Sequence, residues 1–204
     1  MLVKICGLTR QADVDAALRL GANFCGFIFH EKSPRCITPE AAARLHTGPQ
    51  AKRVGVFVNQ GADEILDIMG RARLDIAQLH GEQSVECARR IGFYQVIRVL
   101  WPRRYDNLAL LEEEMARHAD ACCWYLLDAG LSGGGSGRHL DWRELARLRP
   151  PHSWLLAGGL GPDNLAWATT LCRPDGVDIN SGIEDAPGVK NAEKMARVFG
   201  MLGE

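Results

Sequence analysis

Short apolar runs, often β-branched, recur along the chain, and each is followed by a stretch in which apolar residues return with helical spacing. The runs Leu2 to Ile5, Phe24 to Ile28, Arg53 to Val58, Ile76 to Leu79, Gln95 to Leu100, Trp124 to Leu127, Trp154 to Ala157 and Gly176 to Ile179 predict eight strands. The helices between them have marked ends. Leu20-Gly21, Met69-Gly70 and Ile91-Gly92 put glycine where a helix can close in a left-handed conformation. Pro39 after Thr38 and Pro162 after Gly161 suit a first helical turn, where the missing N–H has no helical partner. Regular alternation of strand and helix favours a parallel sheet, and eight units in 204 residues lie near the lower size limit of a closed barrel. The expected fold is α/β, a single-domain (β/α)8 TIM barrel over residues 1–204. An open doubly wound sheet is its rival, because periodicity does not report closure.

Charge and composition then narrow the partners. The formal net charge is -1 with acids and bases interspersed, so nothing points to nucleic acid or a membrane surface, and a small molecule is the expected partner. No apolar run approaches the roughly 18–20 residues that span a bilayer. The start Met1-Leu2-Val3-Lys4 lacks the regions of a signal peptide, so the protein is expected in the cytoplasm. Seven cysteines, an odd number without CxxC pairs or matching histidines, argue against zinc and suit a reducing compartment.

Barrel active sites are built from the loops after the strands, and these loops hold the candidate chemistry. Cys6-Gly7-Leu8-Thr9 follows strand one and leads toward a helix start, where oriented N–H groups would favour a thiolate; a buried structural cysteine is the alternative. After strand two, Arg35 offers a planar fork for a carboxylate or phosphate, or is a solvated surface cation. His80, in Gln78-Leu79-His80-Gly81, reads first as a structural histidine. Asp128 ends strand six, where burial would favour a protonated general acid, though an aspartate there is also a common turn former. The glycine-dense run from Gly130 to Arg138 suits an anion-binding nest better than a linker inside so compact a repeat. Gly158-Gly159 and Asn180-Ser181-Gly182 follow strands seven and eight, where barrels often bind phosphate.

Taken in order, Lys4-Ile5-Cys6-Gly7-Leu8-Thr9, Ser33-Pro34-Arg35, Val54-Gly55-Val56-Phe57, Gln78-Leu79-His80-Gly81, Leu127-Asp128 with Gly134-Gly135-Ser136-Gly137, Leu156 to Leu160 and Asp178 to Glu184 resemble the phosphoribosylanthranilate isomerases of tryptophan biosynthesis over nearly the whole chain. The resemblance implies an Amadori rearrangement of N-(5-phosphoribosyl)anthranilate to 1-(2-carboxyphenylamino)-1-deoxyribulose 5-phosphate, with no cofactor. It also implies the roles: Cys6 as general base, Asp128 as general acid, Arg35 on the anthranilate carboxylate, and Gly134, Gly135, Ser136, Gly158, Gly159, Ser181 and Gly182 around the phosphate. Cys36, Ser136 and Asn180 depart from the family's pattern, and His139 matches no role in it. The histidine-pathway isomerase, which works with two aspartates, is the nearest enzyme rival, and a silent phosphate-binding barrel is another. The sequence does not separate monomer from homodimer.

Overall fold

The structure is a computed structural model that describes residues 1–128 and 142–203. Eight parallel strands close on one another in chain order: β1 (Leu2–Ile5), β2 (Phe24–Ile28), β3 (Lys52–Phe57), β4 (Ile76–Leu79), β5 (Val96–Leu100), β6 (Trp124–Asp128), β7 (Trp154–Ala157) and β8 (Gly176–Ile179). The last strand returns to the first in the register Lys4 to Asp178, which decides for the barrel over the open sheet. The helices are α1 (Gln11–Arg19), α2 (Pro39–Arg44), α3 (Ala62–Ala72), α4 (Val85–Ile91), α5 (Leu108–His118), α6 (Trp142–Leu145), α7 (Leu165–Cys172) and α8 (Ala192–Leu202). Among the described residues no helix is long and apolar enough to cross a membrane.

Successive strand side chains alternate between the barrel interior and the helix layer, which is why the strands read as continuous apolar runs instead of alternating ones. The outer core joins Val3, Ile5, Phe27, Phe57, Leu79, Tyr125, Leu127 and Leu156 to helix residues such as Val14, Ile65, Leu111 and Met195. Phe24, Val54, Ile76, Ile97, Val99, Leu126 and Leu155 fill the interior instead. Each large side chain so buried contributes about 1.5–3 kcal/mol relative to exposure, so the closed sheet is a stiff platform for the loops above it.

The helix ends follow the local sequence signals in some places and depart from them in others. The Thr38 side chain accepts from the Ala41 N–H, with Pro39 in the first turn of α2, as expected. Gly21 has the positive φ its place after α1 calls for, at +96°. Gly70, however, does not end a helix: α3 runs on to Ala72 and closes through Arg73 at φ 54°. The Leu74 N–H bonds back to the Met69 carbonyl, and buried Leu74 supplies the apolar contact that completes this closure. Gly92 has a positive φ but an extended ψ, at 117° and 137°, so it breaks α4 without a left-handed turn. Pro162 stands before α7, in a turn whose Asn164 and Leu165 N–H groups both reach the Gly161 carbonyl. One unpredicted feature is a small antiparallel pair after β8, β9 (Glu184–Ala186) and β10 (Val189–Lys190).

Candidate active site

Period-two alternation carries the interior face of each strand upward into the loop that follows it. Lys4 therefore precedes Cys6 on one face, Gln78 precedes His80, Leu126 precedes Asp128, and Asp178 precedes Asn180. At the top these faces enclose a cavity of about 550 Å³ lined by Cys6, His30, Ser33, Gln78, His80, Asp128, Gly158, Gly159, Asp178, Asn180 and Ser181, with Ile28, Val56, Val58, Leu126 and Ala157 as apolar wall. That volume suits a ligand of cofactor or drug size, for which about 300–1,000 Å³ is usual.

Both proposed proton-transfer residues open on this one cavity, from β1 and β6. Cys6 is nearly buried, packed with Ile28 and Val56, whereas Asp128 retains 29% of its side-chain surface. The helix N-terminus expected to activate Cys6 is not next to it, since α1 starts only at Gln11. Burial instead pushes the thiol above its ordinary value, Lys4 opposes this, and Asp178 adds to the rise. Beside Asp128 stands His80, whose Nε2 lies 3.8 Å from Oδ2. Burial drives this imidazole below its ordinary value, against the pull of Asp128, so the ring is neutral at neutral pH. The Gln78 amide lies 3.3 Å from His80 Nδ1. With that amide donating, the ring proton sits on Nε2, the nitrogen facing the acid. Trp101 meets the imidazole edge-on at 5.5 Å and fixes its plane.

Arg35 does not line the cavity. Its Nε and Nη2 form a fork on Glu184, with 2.9 and 3.1 Å from Nε to the two oxygens and 2.6 Å from Nη2. Its stem crosses Gly7, where φ is +70° and a Cβ would come within 2.7 Å of Arg35 Cδ, so glycine is needed on both counts. Lys190 also donates to Glu184, at 2.8 Å, and to Asn180 Oδ1, also at 2.8 Å. Burial would raise the Glu184 pKa, but the bonds from Arg35 and Lys190 outweigh it and hold the carboxyl below its ordinary value. The β9–β10 pair thus anchors Arg35 next to Cys6.

Of the expected phosphate residues, Gly158 (φ 104°), Gly159 (φ 69°) and Ser181 line the cavity. Gly182 does not: a Cβ there would overlap the Leu160 carbonyl, so its missing side chain lets the loops after β7 and β8 pack together. Gly134, Gly135 and Ser136, like His139, lie outside the described residues. The sequence marks His80 only as a structural histidine and gives no separate role to Gln78, Lys4 or Asp178. The available signal for the last two was a charge inside each of two short apolar strands. Among the described residues, no three His, Cys, Asp or Glu side chains group as a metal site.

The family model for N-(5'-phosphoribosyl)anthranilate (PRA) isomerase matches residues 3–200. The chain belongs to the N-(5'-phosphoribosyl)anthranilate isomerase family. A relative from Desulfovibrio desulfuricans, named N-(5'-phosphoribosyl)anthranilate isomerase, is 61% identical over 204 residues, covering all of this chain and 96% of its own. A solved phosphoribosyl anthranilate isomerase in complex with reduced 1-(o-carboxyphenylamino)-1-deoxyribulose 5-phosphate superposes with a TM-score of 0.82 at 32% identity, over the whole of both chains. The fold is also that of monomers generated from the dimeric enzyme of Thermotoga maritima, with a TM-score of 0.80 at 31% identity over 100% of this chain and 98% of the other. The expected family and barrel therefore hold, and the two-aspartate rival loses its ground.

Proposed function

We propose that this chain converts N-(5'-phosphoribosyl)anthranilate to 1-(2-carboxyphenylamino)-1-deoxyribulose 5-phosphate, with Asp128 as general acid and Cys6 as general base. The observation that carries the assignment is the opening of both side chains, from β1 and β6, on one cavity of suitable size. Asp128 protonates the furanose oxygen, and as the C1'–O bond breaks the anilino nitrogen's lone pair forms an iminium. The Cys6 thiolate then takes the C2' proton, and the electrons of that C–H bond form C1'=C2' while the iminium nitrogen recovers its pair. The enolamine tautomerises to the ketone. The substrate supplies its own electron sink, so the protein's part is proton transfer and positioning. In this reading Gly158, Gly159 and Ser181 hold the phosphate, together with Gly134, Gly135 and Ser136, and a cytoplasmic location suits the biosynthetic role.

A continuous assay following the loss of substrate fluorescence, with freshly made phosphoribosylanthranilate, tests the activity: turnover is expected without added metal or cofactor, and its absence in folded protein rejects the reading. Arg35→Ala tests the carboxylate anchor. The anchor would be Nη1, the guanidinium nitrogen not bonded to Glu184; losing a charged hydrogen bond from it is worth about 1.5–3 kcal/mol, so KM should rise roughly 10- to 100-fold for the natural substrate and little for an analogue lacking the carboxylate. Equal losses on both substrates would assign Arg35 to Glu184 and the β9–β10 pair alone.

A further inference from the structure

We infer that Lys4, held in place by Asp178, is a positioning residue that favours ionisation of the Cys6 thiol against the cost of its burial. This rests on Cys6 being the base. Lys4 is fully buried within the barrel and is not part of the cavity wall, so it acts on the substrate only through another group. Its ammonium donates to Asp178 Oδ1 at 2.9 Å across the closing seam of the barrel, between residues in direct register. Cys6 stands two residues on, on the same face. A Cβ built on Gly26, the inward position of β2 next door, would lie 2.9 Å from Cys6 Sγ and 3.1 Å from Lys4 Nζ. Thiol and ammonium thus converge over a neighbouring strand position that has no side chain.

Charge balance points the same way. The groups facing Cys6 are Lys4 from β1, Asp178 from β8, Lys190 from β10 and Arg35 from the loop after β2. Lys190 and Arg35 share Glu184, while Lys4 is shared between Asp178 and Cys6. Three cations against two carboxylates leave a net positive charge around the thiol, which offsets part of what burial costs its anion. Burial disfavours the Lys4 ammonium, yet Asp178 and Cys6 together hold its pKa above the ordinary lysine value, so it keeps its charge. The two members of the pair act on Cys6 with opposite signs: Lys4 lowers its pKa and Asp178 raises it.

The test is the pH dependence of Cys6 alkylation by iodoacetamide, read on the Cys6 peptide by mass spectrometry because the chain has seven cysteines. In Lys4→Met the midpoint should move up by about one pH unit or more, the usual effect of losing an adjacent opposite charge. Asp178→Asn should move it down. Lys4→Met combined with Asp178→Asn leaves no orphaned buried charge and guards against misfolding of the single variant; its midpoint should again lie above that of the unaltered protein, since Lys4 is the stronger influence. A pair that merely braces the barrel leaves the midpoint in place in every folded variant, and an unshifted midpoint in both Asp178→Asn and the double variant overturns the inference. The readout does not depend on turnover. If Cys6→Ser stays active while these midpoints shift, it is the assignment of the base that fails, and not the influence of Lys4.

Discussion

Cys6→Ser is expected to lower kcat/KM by about 10²- to 10⁴-fold, the usual contribution of a positioned proton-transfer group, while the far-ultraviolet circular dichroism and thermal midpoint stay close to those of the unaltered protein. A serine hydroxyl ionises far above a thiol, so the variant has no base at neutral pH. Its oxygen still fits the small pocket against Ile28 and Val56, so little packing is lost. The pH profile provides the second half of the test. Because burial places the thiol above its ordinary value, and the base is the ionised form, kcat/KM should climb with pH on an alkaline limb and fall as pH drops through the Cys6 pKa. That limb should vanish in Cys6→Ser. A loss of less than about tenfold with the limb retained would move the base elsewhere, and Asp178, which lines the same cavity, would be the first group to test.

Cys6 and Asp128 were legible in the sequence because each sits at the end of an apolar run, and a strand covered on both faces is hard to mistake for anything else. Leu2–Ile5 and Ile76–Leu79 were readable to the residue for that reason. β5 begins one residue late because Phe93–Gln95 form a 3-10 turn, a local choice that apolar periodicity does not register. β9 and β10 escaped notice since three and two residues are too short to show a period. Helix ends were the weaker readings. Glycine after a helix is a preference, and α3 passes through Gly70 because Arg73 accepts the left-handed conformation at a modest cost while Leu74 is buried in return. The partners of the site were less legible still, since they arise from closure. His80 meets Asp128, Lys4 meets Asp178 and Arg35 meets Glu184 only once the sheet has come round on itself. Arg35 shows the consequence most clearly: its sequence neighbours suggest an arginine free to bind a ligand, whereas its fork is already engaged by a carboxylate 149 residues away.

Asp128→Asn should cost a similar factor, about 10²- to 10⁴-fold in kcat/KM, and the way it does so should differ from Cys6→Ser. The amide keeps the size of the carboxyl and its place beside His80, but it has no proton to give to the furanose oxygen. His80 is a poor substitute donor, because burial holds its ring neutral and a neutral imidazole is a weak acid. Ring opening then becomes the slow step. With substrate deuterated at C2', the isotope effect on kcat/KM should therefore fall toward unity in Asp128→Asn, where the C2'–H bond breaks after the slow step. It should grow in Cys6→Ser, where breaking that bond is itself slow. If the two variants show the reverse pattern, the acid and base are exchanged. If both show the same effect as the unaltered protein, neither residue governs a distinct proton transfer, and the two-group mechanism fails on kinetics even with both side chains facing one cavity.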